Sequence, residues 1–131
     1  MVIDSISNLI IALKNAQERG LDLARAPFSN LNTSILEVLK KEGFIADFEK
    51  KGKEVKKHID ITLKYDESGK PAITDVRRIS RQSKRVYKSV DQIRSVKNGY
   101  GRLIITTPAG ILTDVQARKQ KVGGEALFEI W

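Results

Sequence analysis

His58 is the single histidine of a 131-residue chain that has no cysteine. Imidazole or thiol chemistry therefore has one candidate group. It stands at the start of an alternating stretch beside Lys56 and Lys57, where it reads as an exposed residue rather than a base or a ligand. Metal centres draw on several His, Cys or clustered carboxylates, and the acids here are mostly interleaved with lysines. Asp114 and Glu125 are the acids near the glycine-rich end, but no spacing argument makes them an acid–base pair. Gly99-Tyr100-Gly101 lacks the rest of a dinucleotide fingerprint and reads as a turn. Asn32-Thr33-Ser34 matches a glycosylation acceptor, yet it falls in a predicted helix of a chain with no sign of secretion. No catalytic residue, metal ligand, cofactor or small-molecule substrate is expected.

The chemistry that the sequence does concentrate is cationic. The net charge is +8, from 24 Lys plus Arg against 16 Asp plus Glu. Residues 1–66 hold 11 basic and 10 acidic side chains, whereas residues 67–131 hold 13 and 6. Within Arg77 to Arg102 there are nine basic residues (Arg77, Arg78, Arg81, Lys84, Arg85, Lys88, Arg94, Lys97, Arg102) and one acid, Asp91. Five of the nine lie between Arg77 and Arg85, and arginine dominates. The planar guanidinium fork matches phosphate oxygens in two-point contacts. A concentrated Arg-rich segment in a small domain is the footprint of a polyanion. Nucleic acid leads that reading, with an acidic membrane surface or an acidic protein as the other polyanions.

The elements that must carry this segment follow from periodicity. Asp4 or Ser5 caps a helix whose Ile6, Leu9, Ile10 and Leu13 form one face, ended by Gly20. Leu21 to Phe28 reads as a strand closed by Pro27. Ser29 or Asn30 caps a second helix with Leu31, Ile35, Val38 and Leu39 on one face, stopped at Gly43. Phe44, Ala46 and Phe48 alternate in one strand and Ile59, Ile61, Leu63 and Tyr65 in another, joined by a charged loop over 50–57. Asp66 to Pro71 is the clearest turn or linker. Beyond it the chain is mostly strand: 72–80, 85–88, 103–107 and 126–130, with Ala126, Phe128 and Ile130 alternating against Glu125, Leu127 and Glu129. Val90 to Val96 reads as one or two helical turns, and Asn98 to Gly101 and Pro108 to Gly110 as reversals. Thr113 caps a short helix over 114–119, and Gly123-Gly124 breaks the chain again.

The expected fold is α+β: an N-terminal α-β-α-β-β half, residues 1–66, packed beside a mostly β C-terminal half with short helices, residues 67–131. The apolar fraction is 40% and the charged fraction 31%, a globular rather than a disordered composition. The apolar run Leu9 to Leu13 is too short for a membrane span or a signal peptide. The expected compartment is the cytosol or an organellar interior, with no membrane partner.

Three stretches carry a resemblance. Ile79-Ser80-Arg81-Gln82-Ser83-Lys84-Arg85-Val86-Tyr87 is similar to the Ser-Arg-Pro-Gly-x-Arg-x-Tyr motif of small ribosomal subunit protein eight. Thr106-Thr107-Pro108-Ala109-Gly110-Ile111-Leu112-Thr113-Asp114 resembles that family's Ser-Thr-Ser-x-Gly-x-x-Thr-Asp loop, and Gly123-Gly124-Glu125 opens a stretch like its terminal strand. Order and spacing agree. Lys40 to Phe48 resembles the family's Lys-x-Glu-Gly-Phe-Ile-x-x-Phe segment, and Asn15 matches the end of its first helix. Gln82-Ser83 stands where the family has Pro-Gly, Thr106 and Pro108 where it has serines, and Asn30 and Asn32 where lysines are common.

The resemblance implies a structural, non-enzymatic protein of the cytoplasmic or organellar small ribosomal subunit. It implies binding to the central domain of small-subunit ribosomal RNA, a role in assembly, and neighbouring ribosomal proteins as partners. The alternative it carries is a translational repressor that binds its own messenger RNA through a mimic of the same site. The implied RNA-binding residues are Arg81, Lys84, Arg85, Tyr87, Thr106, Thr107, Gly110, Gly123, Gly124, Glu125 and Asn15. Their types suit RNA, whose shallow minor groove shows 2′-hydroxyls and base edges. Thr106 and Thr107 can donate to and accept from it, or serve as ordinary strand residues. Gly110 lets the backbone approach closely. Tyr87 stacks on a base or belongs to the core. Arg81, Lys84 and Arg85 meet phosphates, and the Glu125 carboxylate accepts from a base amine or a 2′-hydroxyl. Gly123-Gly124 is a contact or only a turn.

Overall fold

Ile6, Leu9, Ile10, Leu13 and Ala16 recur at helical spacing, and all five are buried along one side of helix α1, Ser5–Glu18. The computed structural model describes residues 5–53 and 57–131. Asp4, the alternative cap of this helix, and part of the charged loop over 50–57 lie outside the described residues. The chain divides into two compact units, residues 1–73 and 74–131.

In the first unit, Gly20 takes a left-handed φ of +67° after α1, and strand β1, Leu23–Pro27, turns Ala24 and Ala26 inward. Ser29 caps helix α2, Asn30–Lys41, by accepting from the Asn32 amide at 3.0 Å. The buried face of α2 is Asn32, Ile35, Leu36 and Leu39. It is therefore rotated from the expected Leu31, Ile35, Val38, Leu39 stripe: Leu31 is exposed and Val38 half-buried. A polar anchor sets the rotation, because Asn32 Nδ2 donates to the carbonyls of Ser5 at 3.3 Å and Pro27 at 3.1 Å. The burial of Asn32 also removes the apparent glycosylation acceptor from solvent.

Strands β2, Ile45–Lys51, and β3, His58–Leu63, complete an antiparallel sheet in the order β1-β3-β2. The expected alternation of Phe44, Ala46 and Phe48 fails at Ala46, which is exposed. Ile45 pairs with Leu63 and Asp47 with Thr62, so Ala46 is the extra residue of a bulge, and the inward positions become Phe44 and Ile45. Asp66 to Pro71 forms a closed loop rather than an extended linker. Tyr65 bridges to Pro71, and Asp66 Oδ1 accepts from the amides of Ser68 and Lys70 and the Ser68 hydroxyl.

The second unit is a larger antiparallel sheet. Strands β4 (Val76–Arg78), β5 (Tyr87–Lys88), β6 (Arg102–Thr107), β7 (Gly110–Thr113) and β8 (Gly124–Ile130) form it. Its order is β4-β8-β6-β7, with β5 also paired to β8. The strand expected over 72–80 shortens to three residues. The amides of Thr74 and Asp75 both turn to the Trp131 carbonyl, and those of Ile79 and Ser80 both to Leu127, so ladder pairing stops at each end. Single 3-10 turns occupy Val90–Gln92 and Lys97–Gly99.

Helix α3, Asp114–Gln120, starts in a capping box: Thr113 Oγ1 accepts from the Gln116 amide, and Gln116 Oε1 accepts from the Thr113 amide. Ile93, Val96, Leu103, Ile105, Leu112, Ala117 and Ala126 form the core between helix and sheet. Leu127, expected on the outer face, is buried. Ile104 pairs with Phe128 but Ile105 with Ala126, so β8 carries a bulge at Leu127 that turns this side chain inward.

Candidate nucleic-acid interface

Strand β8 begins at Gly124 between two neighbours. Tyr87 and Lys88 of β5 pair with Glu125 and Gly124, and Thr106 of β6 pairs with Glu125 from the other side. Directly opposed residues project to the same face of a sheet, so Tyr87, Glu125 and Thr106 form one row across three strands. Tyr87 is 68% exposed, which removes it from the core and leaves its ring open to stacking.

The two glycines make this junction sterically possible. A Cβ on Gly123 would run into the Lys88 carbonyl and Ser89 Cα, and one on Gly124 into the carbonyl of Thr106. They are positions of close strand approach, beyond any role in a turn.

Beside this row, β6 and β7 are joined by the two-residue reversal Pro108-Ala109, with Thr107 paired to Gly110. Gly110 has φ +111°, and a Cβ there would meet nothing within 4 Å. Its requirement is thus conformational, and the tip is open to a partner. The Thr107 hydroxyl, a candidate donor and acceptor toward RNA, is not free in the turn. It is tied instead, donating to the Gly110 carbonyl at 2.8 Å and accepting from the Ala109 amide at 3.1 Å. Thr107→Val should therefore lower stability by about 1 kcal/mol through the lost turn bonds, which thermal unfolding of the free protein measures. An unchanged melting curve would show that the tie contributes nothing.

The cationic segment is a second hairpin-like turn. Arg81 and Lys84 exchange backbone hydrogen bonds at 3.0 and 3.1 Å, leaving Gln82-Ser83 at the tip. All five residues from Arg81 to Arg85 are exposed. The side chains of Arg81 and Lys84 have no ion-pair partner among the described residues. Arg85 Nη1 donates to Glu125 Oε2 at 3.0 Å. That carboxylate, 14% exposed, also accepts from the hydroxyl of Ser80, which in turn accepts from the Val86 amide at 3.1 Å. Ser80 is fully buried, and Arg78 Nε donates to its carbonyl. Glu125 therefore fastens the 81–85 turn to the start of β8. Ser80, which the sequence does not single out, is the buried link in this fastening. Serine at a strand end gives no signal of burial, and only the match of motif order points to it.

Ser80→Ala leaves the Glu125 carboxylate and the Val86 amide each one partner short. We expect a loss of about 2 kcal/mol in unfolding free energy, against no measurable change for Ser83→Ala at the exposed tip. Equal stabilities for the two variants in denaturant titration would contradict the fastening role.

The remaining candidates lie elsewhere. Asn15 belongs to the first unit, exposed on α1, which continues past it to Glu18. His58 is half-buried rather than exposed, with Nε2 3.6 Å from Asp60 Oδ1. Burial raises the Asp60 pKa, but the Arg25 hydrogen bond and the charges of Arg25, His58 and Lys51 outweigh it and hold the carboxyl below its ordinary value. Asp114 and Glu125 have separate partners. Asp114 is buried and accepts from the Leu103 amide and Arg118, both at 3.2 Å, in a structural role. Among the described residues, no group of three or more His, Cys, Asp or Glu is placed to hold a metal, and no helix is long and apolar enough to cross a membrane.

The model of the family described as ribosomal protein S8 matches residues 4–131. The small ribosomal subunit protein uS8 of Mycoplasma mobile is 44% identical over 131 residues, covering 100% of this chain and 98% of its own length. The proteins of the same name from Helicobacter pylori and Helicobacter acinonychis are each 40% identical over 131 residues, with 100% of both chains covered. A match of that extent, over a sheet that gathers the three sequence motifs at one end, places the conclusion on sequence and structure together: the chain belongs to the ribosomal protein S8 family.

Proposed function

We propose that this protein is a structural constituent of the small ribosomal subunit that binds the central domain of small-subunit ribosomal RNA directly and supports its assembly. The family is one of ribosomal structural proteins and is not enzymatic. The observation that carries the RNA reading is the row Tyr87–Glu125–Thr106 at the start of β8, flanked by the open Pro108-Ala109 tip and the cationic Arg81–Lys84 turn. An exposed ring for stacking, the Thr106 hydroxyl in the same row, and cations with no ion-pair partner among the described residues suit a ribose-lined groove bordered by phosphates. The surface belongs to the unit over 74–131, which holds 12 basic against 5 acidic side chains, whereas residues 1–73 hold 12 against 11. In this reading the second unit carries specific RNA contact, and the first serves as scaffold and faces neighbouring ribosomal proteins.

The protein should co-sediment with the small subunit in a sucrose gradient of cytoplasmic lysate and leave that fraction after ribonuclease treatment. Sedimentation with membranes, or persistence in the free-protein fractions, would contradict the proposal.

A further inference from the structure

Tyr100 is the most exposed large hydrophobic side chain among the described residues, at 87%. It does not sit on a loose loop. Val96 bridges to Gly101, and the intervening backbone is left-handed at three consecutive residues: Lys97 at φ +49°, Asn98 at +55° and Gly99 at +93°. Two of these are not glycine, and non-glycine residues persist there only when the surroundings hold them. The hold is visible. The amides of Gly99 and Gly101 both donate to the Val96 carbonyl at 3.0 Å, and Arg102 Nη1 donates to the carbonyls of Gly99 and Gly101, each at 2.8 Å. Gly101 is packed so that a Cβ would lie 2.8 Å from the Ile130 carbonyl and 2.9 Å from Trp131 Cβ. Lys97 Nζ rests 4.6 Å above the Trp131 ring. A strained, braced turn thus presents one bare aromatic ring to solvent.

Its place separates it from the first surface. Tyr100 precedes β6, whereas Thr106, Thr107 and Gly110 lie at the other end of that strand. The six residues of β6 span about 17 Å at the rise of an antiparallel strand. Tyr100 and the Gly124 end are therefore separate points of contact, at opposite ends of one strand.

We infer that the Lys97–Gly101 turn is a second RNA contact, in which Tyr100 stacks on an unpaired base and the exposed Arg94 and Lys97 meet the flanking phosphates. The inference rests on the RNA reading above and extends it to another end of the sheet. The surroundings favour RNA over protein. A protein hot spot needs a ring of apolar, desolvatable surface about its aromatic anchor. Here the residues flanking Tyr100 in sequence include Lys97, Asn98, Gly99 and Arg102, and residues 93–102 carry three cations and no acid. An exposed ring flanked by cations, with a second aromatic, Trp131, at the base of the turn, suits a stacking platform for single-stranded nucleic acid.

The test compares two RNAs with the full-length protein: a hairpin from the central domain of small-subunit rRNA that carries the primary site, and the whole central domain. The unaltered protein should bind the whole domain more tightly. Tyr100→Ser should bind the hairpin as the unaltered protein does and lose roughly tenfold on the whole domain, the order of one base stack. Tyr100→Phe should restore the difference. Equal binding of Tyr100→Ser and unaltered protein to the whole domain overturns the inference. So does an equal loss on both RNAs, which would put Tyr100 in the first surface. A third overturning result is a defect that appears only when other ribosomal proteins are added, which would mark a protein contact. If the unaltered protein binds neither RNA, the RNA reading itself fails. If it binds both with equal affinity, only this inference does. Thermal unfolding of Tyr100→Ser should match the parent, because the residue is 87% exposed.

Discussion

Gly124→Ala should destabilise the protein by about 3 kcal/mol, the largest effect we expect from any single methyl group in the chain. Gly124 does not take a left-handed backbone, so conformational freedom is not the reason for glycine there. The added Cβ would lie far inside van der Waals contact with the Thr106 carbonyl oxygen and close to Thr107 Cα, both of them backbone atoms that cannot swing aside. Relief requires β6 and β8 to part where Thr106 pairs with Glu125, which loosens the row that faces RNA. Stability and RNA affinity should therefore fall together. Gly110→Ala provides the contrast. Its Cβ meets open space, and only the φ of +111° opposes it, so the loss should be smaller, of order 1–2 kcal/mol. Chemical denaturation of both variants decides the matter. A loss for Gly110→Ala equal to or greater than that for Gly124→Ala would show that backbone conformation, not strand approach, dominates at this end of the sheet.

That contrast also marks how far the sequence could be read. Helix α1 was legible because its five buried residues obey one period and nothing polar interrupts them. Helix α2 was legible as a helix but not in its rotation, because the residue that sets it, Asn32, is polar and is bonded to backbone carbonyls from Ser5 and Pro27. Hydropathy cannot identify a buried amide. The strands were found wherever alternation holds and misassigned in facing wherever a bulge adds a residue, at Ala46 and Leu127.

The candidate site shows the same division. Glycines, hydroxyls and arginines signalled a nucleic-acid surface by type and order. Their internal obligations were hidden, because Thr107 spends its hydroxyl on its own turn, and Arg85 and Ser80 spend their donors on Glu125, which only the sheet pairing brings beside them. Gly123 and Gly124 look like a turn in one dimension, and only the arrival of Lys88 and Thr106 beside them reveals a steric demand. Tyr100 was read as part of a turn, and so it is. Its exposure depends on how Arg102 and Val96 close that turn.

RNA affinity should fall roughly one hundred- to five hundredfold for a fourfold rise in salt, given roughly five phosphate contacts each releasing a counterion with a slope of about 0.7–0.9. Apart from Lys88, Arg94 and Lys97, the structure sorts the cations of Arg77–Arg102 into unequal candidates for those contacts. Arg77 and Arg85 face Glu129 and Glu125, at 3.9 and 3.0 Å, so part of their charge is already answered. Arg78 and Arg102 donate to backbone carbonyls and hold turns in shape. Arg81 and Lys84 project from the tip-forming pair with no carboxylate beside them among the described residues, and both are exposed. The salt slope should therefore be most sensitive at these two. Arg81→Gln with Lys84→Gln should reduce it by roughly 1.5 while leaving thermal stability unchanged, since neither side chain holds the fold. Arg102→Gln should behave in the opposite way, lowering stability by releasing the Gly99 and Gly101 carbonyls and changing the slope by less than one contact's worth. Filter binding across a salt series, paired with melting curves, separates the two classes. A near-zero slope in the parent would remove the whole window as a phosphate-binding surface. An unchanged slope in the Arg81 and Lys84 double variant would move the contact elsewhere on the sheet.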